Sequence, residues 1–235
     1  MASEMIDPDD DRFAYSTKAL ARLTLSHQLA ELADRAAALV PTTGDAGAHP
    51  GEFVAAVRAL AAMAEDALAR AVIYEREKST SWEVLGESLG DITRQSAHGK
   101  FREDVAEWGQ ALHEPLYPMR GGVIRDLRLP EAAYRPTETR HRLDQWARKH
   151  GGYEAGQPVS DGLAELSTLE EMNQVLAGLE HVYRNPLTVD KAKVAQMLDR
   201  KAALLERIGQ EENRPEATEQ AAETRARAAA LRSGQ

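Results

Sequence analysis

One stretch restricts the fold more than any other: Ser79–Trp108, reading STSWEVLGESLGDITRQSAHGKFREDVAEW. Leu85 and Leu89 lie four residues apart, so on a helix they share a face. Gly86 between them suits a close helix crossing that tolerates only a small side chain. Gly90 can take positive φ and end that helix. Ile92 then reads as a buried plug, and Thr93 as the N-cap of a second helix. On the second helix Ala97, Phe101 and Val105 recur every four residues, and Trp108 extends the stripe. Thr80 and Glu83 have the spacing of a capping box, which predicts that the first helix starts at 80. The pattern predicts a trihelical helix-turn-helix unit at 80–108. Its inward set is Leu85, Gly86, Leu89, Gly90, Ile92, Ala97 and Phe101.

The flanks read as helix too. Ala, Leu, Glu and Arg are frequent and β-branched runs are scarce, which predicts an all-α chain. Leu20, Leu23, Leu29, Leu32 and Leu39 predict a helix over 16–40, capped by Ser16 or Thr17. Phe53, Val57, Leu60, Met63 (or Ala64), Leu68 and Ile73 predict a longer one over 52–78. These two helices either pack on each other as an antiparallel pair or offer a self-association surface. Pro and Gly punctuate the chain from Glu114 to Pro136 and predict a loop. The expected organisation is a disordered acidic tail at 1–15, then a helical domain at 16–112 containing the motif. A loop at 113–136 follows, then a basic helix with a C-terminal helical hairpin at 137–211. The end, 212–235, has almost no large apolar residue and is expected to be flexible or marginally helical.

The charge distribution singles out the second helix of the motif. The chain carries a formal net charge of −9. Residues 1–91 hold 16 acids and 8 bases, 92–150 hold 8 and 11, and 151–235 hold 14 and 10. The excess becomes basic where that helix starts, and no acid lies between Ile92 and Arg102. An acidic protein with a local basic face is suited to DNA, the acidic parts limiting non-specific association. Arg94, Gln95, Ser96 and His98 occupy the first turns, where a helix in the major groove meets base edges. Arg reads guanine bidentately and Gln reads adenine. Lys100 and Arg102, with Thr93 at the cap and Ser79, Thr80 and Ser81 at the start of the first helix, are placed to contact phosphates. Arg120, Arg125 and Arg128, and the basic helix with Arg140, His141, Arg142, Arg148, Lys149 and His150, are candidates for further backbone contacts. Trp146 at the centre of that helix reads as a core anchor.

SWEVLGESLG followed by ITRQSAHGKF resembles a group of bacterial helix-turn-helix DNA-binding proteins reading SW-x-x-[IV]-G-x-x-LG-[VI]-[ST]-RQ-[AS]-AH-x-x-F. Such motifs are similar both to small regulators and to the promoter-reading region of sigma factors. The resemblance covers residues 79–108 and implies base-facing positions at Arg94, Gln95 and His98. Asp91 departs from it, adding one residue to the turn.

Other chemistry is not signalled. The chain has no cysteine, so it forms no disulfide, thiolate metal site or Cys nucleophile. The seven histidines lack zinc-site spacing. No Gly-rich phosphate loop or nucleophile elbow occurs. No run reaches the roughly 18 apolar residues of a membrane span, and MASEMIDPDDDR has no apolar core of a signal peptide. The sequence therefore predicts a cytoplasmic, non-enzymatic bacterial transcriptional regulator without cofactor or metal. Its partners would be double-stranded DNA and a second copy in a homodimer, with RNA polymerase as a further candidate. The rival expectation is a helical protein-interaction module, such as a polymerase or regulator partner, whose motif is only a scaffold.

Overall fold

The computed structural model describes residues 14–113, 116–118, 124–126, 129–153, 155–163, 166–184 and 191–233. Over these the protein is all-α. No helix among the described residues is long and apolar enough to cross a membrane. The helices divide into two compact units.

The first unit is organised by a long hairpin. α1 spans Thr17–Ala38 and begins where the Ser16 side chain accepts from the Ala19 N–H at 3.1 Å. α2 spans Glu52–Glu77. Thr17 donates its hydroxyl to Glu77, and Gln28 reaches the Met63 carbonyl at 3.5 Å, so the start of α1 meets the end of α2 and the pair runs antiparallel. α3 (Trp82–Ser88) and α4 (Arg94–His113) follow. Val72 of α2, Leu85 of α3 and Phe101 of α4 are buried together, with Trp82, Leu89 and Val105 against them.

The segment expected to be a loop, 113–136, holds more structure. Leu116–Pro118 (β1) and Ile124–Asp126 (β2) pair as a short ribbon, and α5 spans Glu131–Tyr134. α6 begins at Pro136 and runs to His150. Pro suits the first turn of a helix, where its missing N–H costs nothing. The basic helix, grouped by sequence with the C-terminal hairpin, falls within the first unit. Leu143 and Trp146 of α6 pack into the cluster built by Leu20, Leu23 and Ala30 of α1. Tyr15, assigned to the disordered tail by sequence, is buried there, and its hydroxyl lies 3.0 Å from Thr137 Oγ1. Residues 1–13 lie outside the described residues. Asp144, also buried, accepts from the Val159 N–H at 2.8 Å and from the Ser160 N–H and hydroxyl. Burial raises the Asp144 pKa, but these three donors outweigh it and hold the carboxyl below its ordinary value.

The second unit contains α7 (Thr168–Arg184), α8 (Lys191–Glu211) and α9 (Pro215–Ser233). The expected helical hairpin is thus a set of three helices, and most of the tail expected to be marginal is a packed helix. Ala217, Ala221 and Ala228 of α9 are buried, the last two in one cluster with Val194, Leu198 and Leu205 of α8. Small side chains let the helices approach closely, so α9 packs mainly through alanines, with Leu231 half-buried against the same cluster. Ser167 and Glu170 form a capping box at the start of α7, exchanging bonds of 2.9 and 3.4 Å. Glu171 is buried and takes Arg200 and Arg207 of α8 as partners.

Candidate nucleic-acid interface

The turn between α3 and α4 is built from backbone requirements. Leu89 closes α3; Gly90 (φ +98°) and Asp91 (φ +57°) are both left-handed. Asn and Asp tolerate this region better than most residues, so Asp91 accommodates the extra position of the turn locally. The Ile92 N–H returns to the Gly86 carbonyl at 3.0 Å. That return folds the turn onto α3: a Cβ on Gly86 would lie 2.4 Å from the Ile92 carbonyl oxygen. Gly86 is therefore needed against the backbone of the turn. Ile92 is half-buried rather than the fully buried plug expected.

The start of α3 also differs from expectation. Ser81, not Thr80, caps the helix, accepting from the Val84 N–H at 3.3 Å. The Thr80 hydroxyl instead donates to Glu75 at 2.6 Å, and no bond joins Thr80 to Glu83. That hydroxyl is committed to α2 rather than turned to a ligand. Ser79, at φ +65°, and Ser81 are exposed. Thr93 caps α4 as expected, taking the Ser96 N–H at 3.1 Å, and its hydroxyl lies 3.0 Å from that of Ser96.

α4 turns its stripe inward. Ala97, Phe101 and Trp108 are buried. Helical rotation then places Gln95, Gly99 and Arg102 along the opposite, solvent line, with Ser96 and Lys100 beside them and Arg94 at the helix start. All six are exposed. Arg94, Lys100 and Arg102 make no ion pair among the described residues, and Lys100 only lies over its neighbour Phe101 at 5.1 Å. His98 is exposed too, but its ring meets Trp82 edge-on, with centroids 5.2 Å apart. The Arg76 guanidinium covers the same Trp82 at 5.0 Å and donates to the Thr80 carbonyl. His98 therefore sits at the margin of the outward face, its ring held by α3.

Two contributors are less visible in sequence. Gly99 is at the centre of the outward line, and a Cβ there would meet nothing within 4 Å. Its signal was a helix-destabilising residue in mid-helix with no turn to justify it. Glu77 holds the frame by taking the Thr17 hydroxyl and the Trp108 indole N–H, the latter at 3.1 Å.

The basic helix α6 is partly engaged elsewhere. Arg140 covers the Tyr15 ring at 5.6 Å, Arg148 donates to the Gly156 carbonyl at 3.0 Å, and Arg142 lies 3.4 Å from His27 Nδ1. Trp146 donates to Asp34 of α1 at 2.9 Å, an anchoring role. His141 and Lys149 are exposed. Burial lowers the His27 pKa, and Arg142 and Arg70 add to this against Glu31 and Glu131. Arg120 and Arg128, and the side chain of Arg125, lie outside the described residues. No group of three or more His, Asp or Glu able to hold a metal occurs among the described residues.

No family model matches the chain, and neither a curated protein nor a solved structure is similar to it.

Proposed function

We propose that this protein binds double-stranded DNA sequence-specifically as a bacterial transcriptional regulator, with α4 as the recognition helix. The supporting observation is the outward face of α4: Arg94, Gln95, Ser96, Lys100 and Arg102 are exposed together, and its three cations have no acidic partner among the described residues. A helix held by its opposite face behind a tight turn can present these side chains to a major groove. Arg94 and Gln95 would read base edges, with Ser96 and His98 beside them. Lys100 and Arg102, joined by Ser79, Ser81 and Thr93, would neutralise or bind phosphates. No chemical step is involved, and the protein acts as a non-enzymatic, cytoplasmic regulator.

The test is selection of bound duplexes from random DNA, followed by salt titration on the selected site. Affinity is expected to fall steeply with salt, and Arg94→Ala to cost about 1–3 kcal/mol and relax preference at one base pair. An Arg94→Ala protein with unchanged affinity and preference would refute this placement of α4. A second use has its own observation. Leu169, Leu176 and Tyr183 are exposed at seven-residue intervals on α7, the spacing of a helix that packs on a partner. A protein-interaction role, for instance with RNA polymerase, would use this stripe; a chain that binds no duplex at low salt would favour it.

A further inference from the structure

The α1–α2 hairpin has one apolar side filled and another open. The filled side follows Ala21, Leu25, Gln28 and Leu32 on α1 and Ala56, Leu60, Met63 and Ala67 on α2, all buried or half-buried. On α2 a second stripe lies about 100° around the helix: Phe53, Val57, Ala61, Ala64 and Leu68, every one exposed. Phe53 retains 44%, Val57 58% and Leu68 40% of its surface. On α1 the exposed Leu29, Ala33 and Ala36 are displaced from the filled side in the same rotational sense. Because the helices are antiparallel, equal senses of rotation bring both stripes to the same side of the hairpin. The result is one continuous apolar face, of the kind that marks an interaction site.

The α2 stripe is close to palindromic. Phe53 lies eight residues before Ala61 and Leu68 seven after; Val57 lies four before and Ala64 three after. Arg58 lies three before and Glu65 four after, both exposed and neither in an ion pair among the described residues. A two-fold antiparallel crossing sets residues equally far before and after its centre against each other, so such a stripe is self-complementary. Turning a second α2 antiparallel about Ala61 sets Phe53 near Leu68, large Val57 near small Ala64, and Arg58 near Glu65, twice over. The small Ala61 at the axis lets the helices close.

We propose that this face is a homodimer interface in which two copies cross antiparallel through α2 at Ala61. The dimer deepens the DNA-binding proposal and rests on it only for the symmetry of the target: two copies of α4 would give a palindromic site.

The test is the mass of the full-length protein without DNA, by sedimentation equilibrium over a concentration series. The wild type is expected to be a dimer. Val57→Asp places a charge in the apolar seam of each copy and should weaken association at least a hundredfold, with an unchanged helical circular-dichroism spectrum. Arg58→Glu should weaken it about tenfold, losing two cross-axis attractions and adding two repulsions. Arg58→Glu combined with Glu65→Arg should restore it. A wild type that stays monomeric at 50-fold above the roughly micromolar range of weak dimers, or a double variant no better than Arg58→Glu, would overturn the proposal. Neither result touches the role of α4. Conversely, a dimer that binds no duplex would refute the DNA reading and leave the interface standing.

Discussion

Gly99→Ala separates a structural role of α4 from a DNA-reading one, because the two predict opposite signs. Gly99 is in the interior of α4, its backbone is not left-handed, and a Cβ would meet nothing within 4 Å. The substitution therefore adds no clash and removes only the backbone freedom of glycine. In an exposed helix interior that difference is worth roughly 0.8–1 kcal/mol in favour of Ala. For a protein of this size it raises the unfolding midpoint by about 2–4 °C. If α4 lies in a groove, the same methyl occupies the centre of the contact line, between Gln95 and Arg102. It then holds the helix away from the bases and is expected to cost on the order of 1 kcal/mol, about fivefold in affinity. Gly99→Glu sharpens the contrast by setting a carboxylate against phosphates, and should cost more than tenfold. Thermal unfolding and fluorescence anisotropy on a selected duplex measure both quantities on the same samples. A more stable Gly99→Ala protein with unaltered binding, together with a Gly99→Glu protein that still binds, would place the outward face of α4 away from DNA. A destabilised Gly99→Ala protein would refute the open helical environment itself.

Gly86→Ala brings a Cβ to 2.4 Å from the Ile92 carbonyl and strains the Ile92 N–H bond to Gly86. It should cost about 2–3 kcal/mol in urea unfolding and weaken DNA binding without touching any side chain of the outward face; equal stability would refute the close approach. The pH dependence involves His27, whose pKa is lowered by burial and by Arg142. The unfolded chain then takes up the proton first, so the contribution of neutral His27 is present above about pH 6.5 and is lost as pH falls below that towards the folded value. Wild type should lose more stability between pH 7.5 and 5.5 than His27→Gln, and equal losses would assign the dependence elsewhere.

The legible parts of the fold were local ones. Gly90, Thr93 and the Ala97–Phe101–Trp108 stripe are separated by a few residues, and the end of α3, the cap of α4 and its inward face follow from them. Where two neighbours can do the same work, sequence does not choose. Thr80 and Ser81 both can cap α3, and the choice depends on Glu75, on α2, which takes the Thr80 hydroxyl. Long-range pairing was hidden for the same reason. Arg140 and Arg142 read as a free basic face, yet their partners Tyr15 and His27 lie more than a hundred residues away. The α9 segment read as flexible or only marginally helical because Ala217, Ala221 and Ala228 carry little hydrophobic signal; their burial comes from closeness to α8. On α2, Phe53 and Val57 are as apolar as Leu60 and Met63, so periodicity marks one broad stripe where the structure separates a filled side from an open one.

The open side and α4 are mechanically connected through the last turn of α2. Glu77 takes a donor from the first residue of α1 and another from Trp108 in α4. One residue earlier, Arg76 covers Trp82 of α3, whose edge meets His98 of α4. Glu75 and Arg76 also tie down Thr80, between α2 and α3. Three consecutive side chains thus fix both ends of the α3–α4 pair to the hairpin. A carboxylate with two donors and a stacked guanidinium permit little rotation, since any turn of α4 about its axis moves Trp108 from Glu77 and His98 from Trp82 together. The angle at which α4 leaves the hairpin is therefore set by α2 itself. A second copy docked on the open side of α2 would inherit the same angle, so the spacing between two α4 helices would be determined by the length of α2 from Ala61 to Glu77, about 24 Å on either side of the axis at 1.5 Å per residue.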